Sequence, residues 1–189
     1  MRAPVSFYCG TRRDPGPRLL LAFVDGLHPA AVNAVDLGCG TGLIAAVLAR
    51  ARPELSVLAT DLSSGAVSSA LATMEANGLT LRVPVLRDDA MSTLSVASVD
   101  LIACNPPFHR GPAKDSSAAL AMVSDAGRAL RPGGELWLVF NSHLPYLPVA
   151  QEQVGPTRVV VRDQSYMVAC PTQRRAPLSG RGDGGPAGG

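Results

Sequence analysis

Short apolar runs alternate with longer mixed segments along most of the chain. Five of these runs have the length and the flanking Gly, Pro, Asp or Ser residues that are typical of buried strands. They cover residues 32–37, 55–60, 81–86, 99–104 and 135–140. The segments around them predict helices at residues 17–27, 42–50, about 65–77, 116–130 and 148–153. Ser63 or Ser64 can cap the third helix, and Asn77 followed by Gly78 ends it.

Strands that alternate with helices predict an α/β fold with a doubly wound, mostly parallel sheet and helices on both faces. Two more β-rich runs, at residues 157–162 and 165–169, predict a C-terminal antiparallel hairpin and bring the sheet to seven strands. Residues 1–31 are expected to be an N-terminal segment of the domain, and residues 32–170 its main part. Residues 171–189 lack a hydrophobic pattern and are rich in Gly, Pro and Arg, which predicts a disordered tail.

Composition narrows the classes of protein to consider. The chain has 189 residues, of which 47% are hydrophobic, so one domain with a packed core is expected. The net charge is only +2, and every basic residue except Lys114 is arginine, which permits phosphate contacts without indicating them. No apolar stretch resembles a signal peptide or a membrane span. None of the four cysteines forms a CxxC pair, so no metal site is predicted, and Cys39, Cys104 and Cys170 are expected to be buried thiols of a cytoplasmic protein.

A glycine-rich loop follows the first predicted strand, where the chain reads Asp-Leu-Gly-Cys-Gly-Thr-Gly from residue 36 to residue 42. Gly38 and Gly40 lack a Cβ, so a ligand can approach the backbone closely, and the next helix directs its N-terminal N–H groups at that ligand. The spacing departs from the GxGxxG pattern of dinucleotide-binding loops. Asp36 would repel a pyrophosphate but would favour an ammonium or sulfonium group.

Acidic residues follow the next two strands as well. Asp61 comes 25 residues after Asp36, where its carboxylate can accept hydrogen bonds from both hydroxyls of a ribose. Asp89 follows the third strand and can reach an adenine amino group, although Asp88 is an alternative for this role. Each residue alone also has a structural interpretation, as a turn or a helix cap. The ordered set predicts a ligand with a cationic end, a ribose and an adenine, which is S-adenosylmethionine.

The fourth strand ends in Asn-Pro-Pro-Phe-His, at the edge of the sheet where ligands bind in open α/β folds. Asn105 Oδ1 and the Pro106 carbonyl can accept hydrogen bonds from the two N–H groups of a planar amine, and Pro107 helps to fix the backbone. Phe108 can stack on a base that has left its helix or loop. His109 is assigned to substrate binding, with a solvated loop histidine as the alternative. Because a sulfonium is an activated donor, proximity and orientation suffice without a strong base.

The ordered set over residues 32–140 resembles the class I S-adenosylmethionine-dependent methyltransferases of the small-domain type. The resemblance implies cofactor binding by Asp36, Gly38, Gly40, Asp61 and Asp89. Two flanking segments, Asp-x-Gly-x-Arg-Leu-Leu from residue 14 and Asn-x-x-Leu-Pro-Tyr from residue 141, are similar to those of ribosomal RNA guanine-N2 methyltransferases. This wider resemblance covers about residues 8–170.

The resemblance implies methyl transfer to the N2 amine of a guanine in ribosomal RNA. Arg12, Arg13 and Arg110 would then be available to phosphates, with a solvated surface as the alternative. Methylation of a protein glutamine amide or of an adenine N6 amine uses the same Asn105 geometry and remains open. A binding module that keeps the cofactor fold without activity is a further alternative.

Overall fold

The computed structural model of the chain describes residues 15–106 and 116–174. Five α-helices lie in these ranges: α1 (Pro15–Leu21), α2 (Leu43–Ala51), α3 (Ser64–Ala76), α4 (Ser116–Ala129) and α5 (Tyr146–Gln153). The same ranges contain seven strands: β1 (Asn33–Leu37), β2 (Ser56–Asp61), β3 (Val85–Arg87), β4 (Val99–Cys104), β5 (Leu130–Asn141), β6 (Thr157–Arg162) and β7 (Tyr166–Pro171).

The seven strands form one sheet in the order β3-β2-β1-β4-β5-β7-β6. Strands β1 to β5 are parallel, β7 is antiparallel to β5, and β6 is antiparallel to β7. The predicted fold class, a doubly wound and mostly parallel sheet with a C-terminal hairpin, is therefore confirmed. Strands β2 and β3 are added on one side of β1, and β4 and β5 on its other side, so the strand order reverses at β1 and β4. The carboxyl ends of these two strands border the crevice where such sheets bind ligands.

Hydrophobic side chains pack on both faces of the sheet. One face carries α1, α2 and α3, whose Leu20, Leu48 and Met74 are fully buried together with Trp137 of β5. The other face carries α4 and α5, which pack around Phe140. This two-sided burial explains why the central strands read as continuous apolar runs rather than as alternating ones.

Local signals account for the ends of α3. Ser63 is the N-cap, and its hydroxyl accepts a hydrogen bond from the Ala66 N–H at 3.4 Å. The helix ends at Asn77 and Gly78, and Gly78 has a left-handed φ of 66° that favours glycine. Both ends match the positions that the sequence predicts.

Two predicted elements are shorter than expected. The helix predicted over residues 17–27 ends at Leu21, and a separate 3-10 turn covers Val24–Gly26, because the Phe23 backbone leaves the helical region. The strand predicted over residues 81–86 forms only at Val85–Arg87. Pro84 has no N–H to donate, and Leu81 is fully exposed in a turn.

The fifth strand and the C-terminal hairpin are longer than predicted. The Arg-Pro-Gly-Gly segment does not separate helix from strand, because β5 begins at Leu130 and runs through it with a register shift against β4. The first two residues of the tail predicted over 171–189 belong to the sheet, because β7 includes Pro171, and Thr172 pairs with Glu135. Residues 175–189 lie outside the described residues. No helix in the described part of the chain has the length and apolarity needed to cross a membrane.

Candidate functional site

The glycine-rich loop joins β1 to α2 at the carboxyl edge of the sheet. Gly38, Gly40 and Gly42 all have left-handed φ values, of 67°, 54° and 75°. A Cβ at Gly38 would lie 2.8 Å from the Met122 side chain, and one at Gly42 would lie 2.9 Å from the Met74 side chain. A Cβ at Gly40 would meet no atom within 4 Å. The space beside Gly40 is therefore open to a ligand, whereas the other two glycines pack against helices.

Asp36 lies at the buried end of β1, with 1% of its surface exposed. Its Oδ2 atom accepts a hydrogen bond of 2.9 Å from the Ala45 N–H in the first turn of α2. Its Oδ1 atom is buried and has no hydrogen-bond partner among the described residues. Burial, which outweighs the Ala45 hydrogen bond and is reinforced by the charge of Asp61, raises the pKa of Asp36 to about 7. Such a carboxyl gains from a nearby cation.

Asp61, at the end of β2, connects that strand to the glycine-rich loop. Its Oδ2 atom accepts a hydrogen bond from the Gly40 N–H at 3.0 Å, and its Oδ1 atom accepts one from the Ser63 N–H at 2.9 Å. Each carboxylate oxygen has two lone pairs, so both oxygens keep capacity to accept hydrogen bonds from a ligand. The structure thus brings the Asp61 carboxylate against the glycine-rich loop at Gly40.

The structure distinguishes the two acids that follow β3. Asp88 is buried, and its carboxylate accepts hydrogen bonds from the Ser92 hydroxyl at 2.7 Å and the Thr93 hydroxyl at 2.8 Å. Burial alone would raise the pKa of Asp88, but these hydrogen bonds outweigh it and hold the pKa below its usual value. Asp89 is exposed. Asp88 therefore has a structural role in the turn, and Asp89 is the acid that remains available to a ligand.

Asn105 and Pro106 follow β4 directly. Leu37 pairs with Cys104 in the parallel register between β1 and β4, so Asn105 comes beside Gly38 at the start of the glycine-rich loop. Asn105 is half-buried and Pro106 is buried. The sequence-predicted amide therefore lies next to the predicted cofactor loop. Pro107, Phe108 and His109 lie outside the described residues, as do Arg12, Arg13 and Arg110.

The cysteines near this site are buried thiols, as predicted. Cys39 lies in the glycine-rich loop and Cys104 ends β4, and both are free. Burial first, and then the nearby charge of Asp36, raises the pKa of both thiols well above its usual value, so they stay protonated. Cys170, the third cysteine in the described ranges, is also free and buried. Those ranges contain no group of three His, Cys, Asp or Glu residues that could hold a metal ion.

Two polar residues at this edge were missed as site candidates by sequence reasoning. The Oγ1 atom of Thr60 and the Oδ1 atom of Asn141 are buried and have no hydrogen-bond partner among the described residues. Thr60 precedes Asp61 in β2, and Asn141 is the last residue of β5. The available signal was their position, since each is a polar residue at the carboxyl end of a buried apolar strand.

A family model described as the methyltransferase small domain matches residues 1–170 of the chain. The chain is 38% identical over 161 residues to ribosomal RNA large subunit methyltransferase G of Streptomyces avermitilis, covering 85% of this chain and 42% of that protein. It is 38% identical over 157 residues to ribosomal RNA small subunit methyltransferase C of Hahella chejuensis, covering 83% of this chain and 44% of that protein. The chain thus spans less than half the length of these relatives.

Solved structures agree with this match. A T. thermophilus 16S rRNA N2 methyltransferase, solved in complex with AdoMet and guanosine, superposes with a TM-score of 0.76 at 31% identity, covering 89% of this chain and 45% of that one. An O-methyltransferase family protein from Burkholderia thailandensis, at 19% identity, shares the fold with a TM-score of 0.67, covering 85% of this chain and 58% of that one. The sheet order, the glycine-rich loop and the family model lead to the same conclusion, that the chain belongs to the methyltransferase small domain family.

Proposed function

We propose that the protein transfers the methyl group of S-adenosylmethionine to the exocyclic N2 amine of a guanine in ribosomal RNA. The observation that carries this proposal is the register that sets Asn105 beside Gly38, in the same glycine-rich loop that leaves open space at Gly40. A donor site and an amine-binding amide therefore share one edge of the sheet. The substrate is supported by the relatives, which are ribosomal RNA methyltransferases by name, one of them solved with guanosine.

The cofactor site of this proposal consists of Asp36, Gly38, Gly40, Asp61 and Asp89. The residues fit S-adenosylmethionine, because a buried Asp36 oxygen has no partner in the described ranges and the space beside Gly40 is open. Asp36 favours the cationic end, Asp61 accepts hydrogen bonds from the ribose, and Asp89 accepts one from the adenine amine. When bound, S-adenosylmethionine supplies a methyl group already activated by its sulfonium.

The acceptor site of this proposal begins at Asn105 and Pro106. The lone pair of an exocyclic base amine is delocalised into the ring, so the amine is a weak nucleophile. Hydrogen bonds from its two N–H groups to Asn105 Oδ1 and to the Pro106 carbonyl favour a pyramidal nitrogen with its lone pair aimed at the methyl group. Positioning of this kind can supply most of the rate. Pro107, Phe108 and His109 are proposed to hold the flipped-out base.

The setting that we propose is the cytoplasm, with ribosomal RNA as the partner. Cys39, Cys104 and Cys170 are free thiols, which suits a reducing compartment.

Transfer of labelled methyl groups tests the proposed function. The chain is incubated with methyl-labelled S-adenosylmethionine and, separately, with protein-free 16S and 23S ribosomal RNA, assembled ribosomal subunits and a total protein fraction. We expect label in ribosomal RNA, and nuclease digestion followed by mass spectrometry should identify it as N2-methylguanosine. Label in protein would support glutamine-amide methylation instead, and N6-methyladenosine would support an adenine target. Cofactor binding without transfer to any fraction would support the binding-module alternative.

Replacement of Asn105 tests the amide assigned to the acceptor. Asn105→Ala should abolish transfer, because the amine loses an acceptor that orients it, while S-adenosylmethionine affinity stays within about threefold, since the cofactor contacts are made by other residues. Isothermal titration and the transfer assay measure the two effects separately. Near-normal turnover in Asn105→Ala would show that the assigned role is wrong.

A further inference from the structure

We propose that Asn141 is a second amide of the acceptor site and reads the guanine through its N1–H and O6 groups. This inference rests on the proposed function and adds to it a residue that selects the base. Three observations support it: the position of Asn141 in the sheet, the burial of its side-chain oxygen, and the chemistry of the guanine edge.

The sheet register places Asn141 beside Asn105. Cys104 of β4 pairs with Leu138 of β5, so the next residue, Asn105, comes opposite Val139. Asn141 is two residues further along β5, which puts the two Cα atoms about 8 Å apart, given strand spacings of about 4.8 Å and a rise of about 3.3 Å per residue. Diagonal neighbours at this separation can contact the same group.

The two amides also share a face of the sheet. Val139 and Ala103 belong to the core cluster on the face that carries α1, α2 and α3. Side chains two residues apart on a strand lie on the same face, so Asn141 follows Val139 and Asn105 follows Ala103. Asp36 belongs to this face as well, since it accepts a hydrogen bond from α2. Three neighbouring strands, β1, β4 and β5, therefore carry a polar side chain on one face at their carboxyl ends.

The side-chain oxygen of Asn141 lacks the partner that a structural asparagine would have. Its Oδ1 atom is buried without a hydrogen bond in the described residues. The backbone carbonyl of Asn141 accepts a hydrogen bond of 2.9 Å from Leu144, so the turn that follows β5 does not depend on the side chain. Asn33, the first residue of β1, is an asparagine with a structural role. Its side chain donates a hydrogen bond to the Ser98 carbonyl and accepts one from the Asp100 N–H.

Two further buried oxygens without hydrogen-bond partners in the described residues lie at the carboxyl ends of neighbouring strands: Asp36 Oδ1 in β1 and Thr60 Oγ1 in β2. A buried acceptor without a donor is costly, so this edge gains from a ligand that brings donors.

The guanine edge complements this pair of amides. The N2 amine offers two donors, N1–H offers a third, and O6 is an acceptor. With the amine held by Asn105 and Pro106, the Asn141 carboxamide can accept from N1–H through Oδ1 and donate to O6 through Nδ2. Adenine presents an unprotonated N1, whose lone pair would face the Asn141 oxygen. Asn141 therefore selects guanine over adenine as the base that is methylated.

A base analogue isolates this contact. Once the methylated guanosine is mapped, a short synthetic RNA carries either guanosine or 2-aminopurine riboside at that position. The analogue keeps the reactive 2-amine but lacks N1–H and O6. We expect the wild-type chain to methylate the guanosine RNA roughly tenfold to a hundredfold faster in kcat/KM. In Asn141→Ala the guanosine rate should fall by about the same factor, while the 2-aminopurine rate changes by less than about threefold.

Two further variants separate recognition from a general loss of structure. Asn33→Ala removes an amide of the same size from the opposite edge, so it should lower the melting temperature while leaving the ratio of the two rates unchanged. Asn141→Asp preserves the size of the side chain but removes the donor to O6, so it should also lose the preference for guanosine over 2-aminopurine. This variant replaces Asn141→Ala in the test if Asn141→Ala does not fold. Binding of S-adenosylhomocysteine should match that of the wild type in both Asn141 variants.

The outcomes distinguish this inference from the proposed function. If the wild-type chain methylates the guanosine RNA and the Asn141 variants slow both RNAs equally, or slow neither, the inference is overturned while the proposed function stands. If the wild-type chain transfers no methyl group to guanosine in any RNA, both are overturned.

Discussion

The carboxyl group of Asp36 is buried near the end of β1, and its ionisation should change the stability of the folded chain. Its pKa is raised from 3.8 to about 7, chiefly by burial. Between these values the folded chain keeps a proton that the unfolded chain has released. The contribution of Asp36 to the free energy of unfolding should therefore be highest below about pH 4 and should fall as the pH rises to about 7.

The pH dependence can be measured by comparing the chain with Asp36→Asn, without cofactor. Between pH 5 and pH 8 the wild-type chain should lose on the order of 2 kcal/mol more stability than the variant, whose amide stays neutral at every pH. Urea unfolding at several pH values gives both curves, and their difference removes the other titrating groups. Parallel curves would contradict the assignment of a raised pKa to Asp36.

Asp61 combines a structural role with its proposed contact to the ribose. Asp61→Ala should weaken S-adenosylmethionine binding by roughly 1–3 kcal/mol, because a charged acceptor is lost and the Gly40 N–H loses its partner. Asp61→Asn, which keeps one oxygen acceptor, should lose less. Isothermal titration gives the dissociation constants, and thermal melting shows how much of the change comes from the loop. A dissociation constant unchanged in Asp61→Ala would refute the ribose assignment.

Two glycines of the glycine-rich loop, Gly40 and Gly42, are required for different reasons. Gly42 faces the Ala70 backbone and the Met74 side chain, whereas Gly40 faces open space, although both have a left-handed φ. Gly42→Ala should cost about 2–4 kcal/mol of stability, from backbone strain and overpacking together. Gly40→Ala should cost only about 1–2 kcal/mol, from strain alone, but it should weaken S-adenosylmethionine binding at least tenfold because its methyl group enters the cofactor space.

Urea unfolding and isothermal titration on the two variants test this division of roles. The matched pair has the same chemical change two residues apart, so a difference in binding loss cannot come from the alanine itself. If Gly40→Ala binds S-adenosylmethionine as tightly as the wild-type chain, the space beside Gly40 is not the cofactor site.

The elements that the sequence predicts well are those defined by local chemistry. Strand β4 has the predicted bounds, and Ser63 and Gly78 bound α3 as expected, because a buried apolar run, a capping hydroxyl and a glycine act over a few residues. The start of β5 depends instead on pairing with β4, which keeps Leu130 in the sheet despite the following Pro-Gly-Gly. Position within the sheet is also what brings Asn141 beside Asn105, a relation that has no local signal. Asp88 differs from Asp89 in its burial and in its hydrogen bonds to Ser92 and Thr93.

At the scale of the molecule, most arginine side chains in the described residues donate hydrogen bonds to the protein's own backbone. Arg52 donates to the carbonyls of Leu27 and Ala31 at 2.7 and 2.8 Å, and a second group of arginines does the same for other loops: Arg50, Arg82, Arg87, Arg128 and Arg174. These guanidinium groups satisfy backbone carbonyls in loops and in the last turns of helices, where the regular hydrogen bonds of strands and helices are not available. The hydrogen-bonding geometry of these guanidinium groups therefore contributes to the stability of the fold.

Replacement of Arg52 tests this view of the basic residues. Arg52→Lys retains the charge but not the planar fork, so it should still lose about 1–3 kcal/mol of stability, because the segment between α1 and β1 loses its shared donor. Arg162→Ala removes a charge from an exposed residue at the end of β6 and should change stability by less than about 0.5 kcal/mol. Urea unfolding compares them. If Arg52→Lys is as stable as the wild-type chain, the guanidinium geometry of Arg52 is not what stabilises the segment between α1 and β1, and the arginines that contact backbone carbonyls must be assigned a different role.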